Sequence, residues 1–167
     1  MSHLFHCIRQ IHDRFFHLLE NLQSPFLLFV RLYWGWQLAL SGWGKLHNLS
    51  NVTDFFTSLN LPFPAQTASA ISCVEFFGGI LFALGLLSRT TALVLTINMF
   101  MAYLTADREA LLSIFSDPDK FYAAAPYTFL VACVIVLLFG PGKIALDTLM
   151  RPSMRAVAAQ ETSSVPS

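Results

Sequence analysis

Apolar residues run almost unbroken through four stretches of the chain, at 25–44, 67–87, 90–106 and 123–140. A helix rising about 1.5 Å per residue needs roughly 20 mainly apolar residues to cross a hydrocarbon core of about 30 Å. Each stretch therefore has the length of a membrane span, and each is set off by breakers or polar residues. Pro25 precedes the first, Ser88-Arg89 separates the second from the third, and Gly140-Pro141-Gly142 follows the fourth. Ahead of them, Leu4, Ile8, Ile11, Phe15, Leu18 and Leu22 recur at alternating spacings of four and three. That is one apolar stripe on an otherwise polar helix, which suits a membrane interface or a partner helix. The pattern predicts an all-α fold: an integral membrane four-helix bundle over 25–148, preceded by an amphipathic interfacial helix over 1–24 and followed by a polar tail over 149–167. The small, polar residues from 156 onward are expected to be disordered.

The N-terminal stretch is not expected to act as a cleaved signal peptide. His3, His6, Arg9, His12, Asp13, Arg14 and His17 interrupt any apolar core, and no small-residue cleavage site follows. Orientation follows from the cations that flank the spans. Arg9, Arg14, Arg89, Lys143, Arg151 and Arg155 lie on the side shared by both termini, against Lys45, Arg108 and Lys120 on the other. This predicts a multi-pass protein of a bacterial-type inner (plasma) membrane with both termini cytoplasmic. The two longer outer loops, 45–66 and 107–122, mix acids with Phe55, Phe56, Phe63, Leu111 and Phe115, so they are expected to lie on the bilayer surface and cap the bundle.

Composition supports the membrane reading: 55% of residues are hydrophobic, only 12% are charged, and the mean hydropathy is +0.58. The formal net charge is zero, which argues against a nucleic-acid partner, whose phosphates demand clustered cations. Cys7, Cys73 and Cys133 form no CxxC or zinc spacing, and none sits beside an evident activating base. His3, His6, His12, His17 and His47 all fall outside the spans, so a haem held by two intramembrane histidines has no ligands here. His3, His6 and Cys7 could meet on one helical turn and hold a soft metal, but the same stretch reads as a solvated interfacial face, and no metal site is assigned.

Polar residues inside the spans carry the chemistry, because an ionisable group at mid-membrane costs several kcal/mol unless it is paired or faces a cavity. Counted inward from the cytoplasmic boundary at about 1.5 Å per residue, Glu75 lies about 18 Å deep, Gln37 about 17 Å, Asn98 about 13 Å and Arg31 about 8 Å. Lys45 ends the first span on the outer side. Glu75 is expected either to fix helix register through Arg31, Lys45 or a nearby amide, or to exchange a proton with a bound quinol or other substrate. Gln37 and Asn98 could hold helices together or contact a ligand, and Trp34 with Trp36 could line a pocket or pack in the core. Glycines at 35, 42, 44, 78, 79 and 85 leave helix surfaces bare where another helix or a flat ligand could approach.

Arg31-x3-Gly35, Ser41-Gly42-Trp43-Gly44-Lys45-Leu46, Glu75-Phe76-Phe77-Gly78-Gly79, Gly85-Leu86-Leu87-Ser88-Arg89 and Phe139-Gly140-Pro141-Gly142-Lys143-Ile144-Ala145-Leu146-Asp147 follow one another across the four spans. In this order the chain resembles the DoxX family over about residues 26–148. The resemblance implies a small four-helix inner-membrane protein. The family takes its name from a subunit of a thiosulfate:quinone oxidoreductase, and other relatives are associated with oxidative, thiol or metal stress. The family's polar membrane positions match Arg31, Lys45, Glu75 and Asp147.

The reading that best joins these observations is a redox-linked, quinone-associated membrane subunit. Glu75 handles a proton, Arg31 or Lys45 sets its charge state, and Trp34, Gln37 and Asn98 contact a quinone-like cofactor. Whether the chain is itself an enzyme is left open. The alternatives are a non-enzymatic scaffold for a soluble redox or metal-handling protein, and a small transporter, for which four spans would need to dimerise.

Overall fold

The computed structural model describes the backbone of residues 2–150, and within 2–20 the side chains of His12, Arg14, Phe16 and Leu19 alone. The described chain is all-helical: α1 Ser2–His47, α2 Leu49–Ser58, α3 Pro64–Leu84, α4 Ser88–Thr105, α5 Arg108–Leu112, α6 Pro118–Ala123 and α7 Pro126–Phe139. The side chains of His3, His6, Cys7 and most of the N-terminal stripe lie outside the described residues, as does the tail beyond 150.

The sequence predicts a break at Pro25, but α1 is a single helix of 46 residues with Pro25 inside it. Proline removes one N–H from the helix, yet its fixed φ is helical. Leu27 and Val30 on the next turn are buried and hold that turn against the bundle. The other three predicted spans fall on α3, α4 and α7, within three residues at each end.

Local chemistry sets those ends. Pro64 opens α3 at a position where its missing N–H has no helical partner to lose. Gly85 closes it with φ +71°, its N–H donating to the Phe82 carbonyl and that of Leu86 to the Leu81 carbonyl. This is a Schellman cap, which turns the chain directly into α4. The outer loops are more ordered than their composition suggests. They fold into α2, α5 and α6, and Tyr103 ties the end of α4 to α6 by donating to the Phe121 carbonyl at 2.7 Å.

Helix α1 packs lengthwise on α3 and α4 on α7, with α3 also touching α4. The α1–α3 approach is close because both helices carry glycine at the crossing. A Cβ on Gly42 would lie 2.3 Å from the Phe76 nitrogen, and one on Gly79 would lie 2.5 Å from the Ala39 nitrogen. Small residues let helix backbones meet where lipid provides no hydrophobic drive. Leu38, Phe82, Leu95, Met99, Cys133 and Val136 fill the core between the two pairs.

Among the described residues one helix, α3, is long and apolar enough by itself to cross a membrane; α7 is apolar but only 14 residues long. Arg31 and Gln37 dilute the corresponding part of α1, and Arg89, Asn98 and the threonines do the same in α4. The outward surface is nonetheless strongly apolar: Trp36, Phe77 and Leu138 are 63%, 59% and 66% exposed. Patches of that kind mark contact with lipid or with another protein.

Candidate functional site

The structure places two clusters built around buried charged residues, Glu75 and Arg31, at opposite ends of the bundle. At the end that the sequence is expected to place outside, Lys45, near the end of α1, reaches Glu75 on α3. Its Nζ lies 2.5 Å from Oε1 and 2.6 Å from Oε2. The Ser41 hydroxyl, one turn before Lys45 on the same helix face, donates to Oε2 at 3.0 Å. Glu75 is 4% exposed, so three donor contacts converge on a carboxylate almost withdrawn from the surface. Such a carboxylate is tolerated because it is both ion-paired and hydrogen-bonded. The glycine contact at Gly42 brings Ser41 and Lys45 within reach, since it sets α1 directly against the backbone of residues 75 and 76.

This cluster forms part of the wall of a cavity of 530 Å³. Helix α2 covers one side with Val52, Phe55 and Phe56, while Ile71 of α3, Met101 of α4 and Phe129 of α7 complete a largely apolar wall. Asn98 of α4 lines the same space. The volume is that of an ordinary small-molecule site, apolar with a few convergent polar groups.

At the opposite end, the one expected to lie inside, Arg31 is 1% exposed and donates from one Nη to the Ile144 carbonyl. Asp147 supplies its counter-charge. The same Asp147 caps the start of α4 from across the fold. Its carboxylate accepts from the Leu87 N–H at 2.8 Å and from both the N–H and the hydroxyl of Ser88 at 2.7 Å. Its own N–H donates to the Gly85 carbonyl at 3.0 Å. Any side chain at Gly85 would strike the Arg31 guanidinium, because a Cβ there falls 1.7 Å from Nη1. Arg31, Gly85, Ser88 and Asp147 thus form one closed staple joining α1, the α3–α4 turn and the C-terminal segment.

Of the six sequence-selected residues, Glu75, Lys45 and Asn98 border one cavity. Arg31, Trp34 and Gln37 do not line it. Arg31 belongs to the staple, Trp34 packs half-buried against the core and edge-on to Tyr33 at 4.9 Å, and Gln37 is exposed on the outward face of α1. Depth along a helix gave Glu75, Gln37 and Asn98 similar levels, but level says nothing about which way a side chain rotates. Sequence reasoning did not single out Ser41, although its i, i+4 relation to Lys45 signals a shared face. The aromatic pair on α2 was also missed as a cavity wall, because its mixed composition read as a surface loop.

The DoxX family model matches residues 26–108, so that stretch of the chain is a DoxX domain. The matched stretch holds the whole Lys45–Glu75–Ser41 cluster and Arg31, while Ile144 and Asp147 lie beyond it. Neither the curated proteins nor the solved structures yield a match.

Proposed function

We propose that this protein is a multi-pass membrane subunit whose outer cavity binds a small amphipathic, quinone-like ligand and exchanges a proton with it. In this reading α1, α3, α4 and α7 cross the bilayer as a four-helix bundle, with both termini on the cytoplasmic side. The strongly apolar outward surface and the family's membrane association support that placement. The observation that carries the functional reading is the Lys45–Glu75–Ser41 cluster at the wall of an apolar cavity. A ring with polar oxygens at one end would place its apolar part against Phe55, Phe56 and Phe129. One oxygen would meet the ammonium of Lys45, with Asn98 offering a further hydrogen bond.

The cluster suits proton exchange because its parts can trade partners. Lys45 keeps 35% of its side chain accessible, so a ligand oxygen can accept its hydrogen bond or its proton while Glu75 holds the charge balance. Reduction of a quinone needs two electrons and two protons. This chain would supply binding and a proton route, and a partner carrying a redox group would deliver the electrons.

The test is native mass spectrometry of the full chain released from a mild detergent, wild type beside Glu75→Gln. The expected result is a quinone-sized adduct on wild type that is lost from a folded Glu75→Gln protein. If both forms carry only partner polypeptides, in equal amounts, the protein is a membrane scaffold and the ligand site does not exist.

A further inference from the structure

A second concavity, of 320 Å³, lies at the opposite end of the bundle from the Lys45–Glu75 cluster. It is built where α1 meets the turn that follows α7, and its two charged side chains are both cations, Arg89 at the start of α4 and Lys143 in the turn. Gln23 and Ser24 of α1, with Thr148, complete its polar lining. Among the described residues neither cation makes an ion pair with a carboxylate. Asp147, the nearest acid along the chain, is committed to the Leu87 and Ser88 N–H groups and to the Arg31 charge.

The backbone shapes this site. Gly140 adopts φ +79°, ψ −175°, a conformation essentially confined to glycine, and a Cβ there would touch the Arg89 guanidinium at 3.7 Å. Gly142, at φ +80°, lies over Ser24, whose hydroxyl oxygen accepts the Lys143 N–H at 2.8 Å. Arg89 and Lys143, both exposed, line this one concavity. The side chains beside that mouth are apolar and outward-facing, with Phe26 at 53% and Phe139 at 63% exposure. A ligand seated between the two cations would have its remainder lying along a hydrophobic surface.

We infer that this pocket is a site for the phosphate headgroup of an anionic phospholipid, with Arg89 and Lys143 as its charged ligands and the acyl chains lying along Phe26 and Phe139. Arginine grips phosphate through a planar fork and lysine as a point charge, and the polar cleft between them presents further hydrogen-bonding groups to the headgroup. Basic pockets between helices at the cytoplasmic face bind lipid headgroups of this kind. The proposal rests on the same membrane placement as the proposed function but is independent of the outer cavity.

The experiment uses the full chain, stripped of lipid in detergent and titrated with phosphatidylglycerol, phosphatidylcholine or inorganic phosphate. Retained lipid is read by native mass spectrometry and folding by the melting curve. Two cations near a headgroup give a preference for phosphatidylglycerol over phosphatidylcholine of about thirtyfold. The joint Arg89→Ala and Lys143→Ala variant is expected to lose that preference, and the charge-preserving Arg89→Lys, Lys143→Arg variant to keep most of it. On wild type the preference should shrink as sodium chloride is raised, a readout that needs no variant to fold. Equal retention of the two lipids by wild type, or an undiminished preference in the folded alanine variant, would overturn the proposal. Competition by inorganic phosphate at the same concentration as the lipid would show a free-anion site and overturn it as well.

Discussion

The two ends of the bundle use the same pair of chemistries, a cation and a carboxylate, with opposite architecture. At the inner end Arg31 is sealed beneath Gly85, and Asp147 is bound to two N–H groups and a hydroxyl. Arg31 lines neither of the two cavities, and its Nε and Nη1 have no hydrogen-bond partner among the described residues. At the outer end Glu75 is equally buried, but its partner Lys45 is partly open and both border a cavity. A buried charge that is closed off on every side holds helices together, whereas one whose counter-ion faces a cavity can exchange that partner for a ligand. Charge alone does not distinguish the two; the empty volume beside it does.

The sharpest way to break this contrast is Arg31→Met. Methionine matches much of the side-chain length but removes the positive charge that Asp147 offsets and leaves the Ile144 carbonyl without its donor. Leaving a buried carbonyl without its charged donor costs about 1–3 kcal/mol, and the lost packing of the long side chain adds to it. Unfolding in mixed detergent micelles, followed by tryptophan fluorescence, should show the largest loss of any single change discussed here. A wild-type unfolding curve would mean that the inner cluster is not a staple.

Next in size is Gly42→Val, placed between the two ends at the α1–α3 crossing. Its Cβ would have to displace the backbone at Phe76, 2.3 Å away, and overpacking of that kind costs about 1–3 kcal/mol. Because the same crossing brings Lys45 to Glu75, ligand retention should fall with stability. A variant that keeps its ligand while losing stability would show that the outer cluster tolerates a wider helix separation than the geometry implies.

Asp147→Asn is smaller again. Asparagine has one acceptor oxygen, so it can accept from Leu87 or from Ser88 but not from both, and it brings no charge to offset Arg31 or to favour the helix N-terminus, for an expected loss of about 1–2 kcal/mol. The check is the melting temperature of the variant beside wild type, and the outer cavity should keep its ligand unchanged.

How far these two ends were legible in the sequence differs for a physical reason. The helices α3, α4 and α7 could be placed closely because length, hydropathy and the proline and glycine signals at their ends are local properties. The break expected at Pro25 failed because burial of the following turn outweighs one lost hydrogen bond. Glu75 and Lys45 stood out as ions in apolar sequence, but their pairing required the glycine crossing, which a single chain read in order does not show. Asp147 matched a family position, yet its capping of α4 joins residues 59 and 60 apart in the chain and exists only in the folded molecule. Gln37 shows the limit of depth arithmetic: it shares a level with Glu75, but the helix turns it outward.

The smallest effect on stability, and the one that most sharpens the comparison, is expected from Glu75→Gln. Glutamine keeps an acceptor for the Ser41 hydroxyl and nearly the same volume, so packing against α1 is preserved. It leaves Lys45 without a counter-ion, but that side chain is 35% exposed and can hydrate through the cavity. After discounting for solvent screening, the cost should be about 1 kcal/mol or less. Ligand retention should nevertheless collapse, because the charge that holds the Lys45 ammonium at the cavity wall is gone. Measured together, the melting temperature and the bound adduct separate the two kinds of charged cluster. Arg31→Met should remove fold and ligand in parallel, while Glu75→Gln should remove the ligand from a protein that still melts near the wild-type temperature. If Glu75→Gln instead unfolds as badly as Arg31→Met, both ends are staples and the cavity has no chemical role.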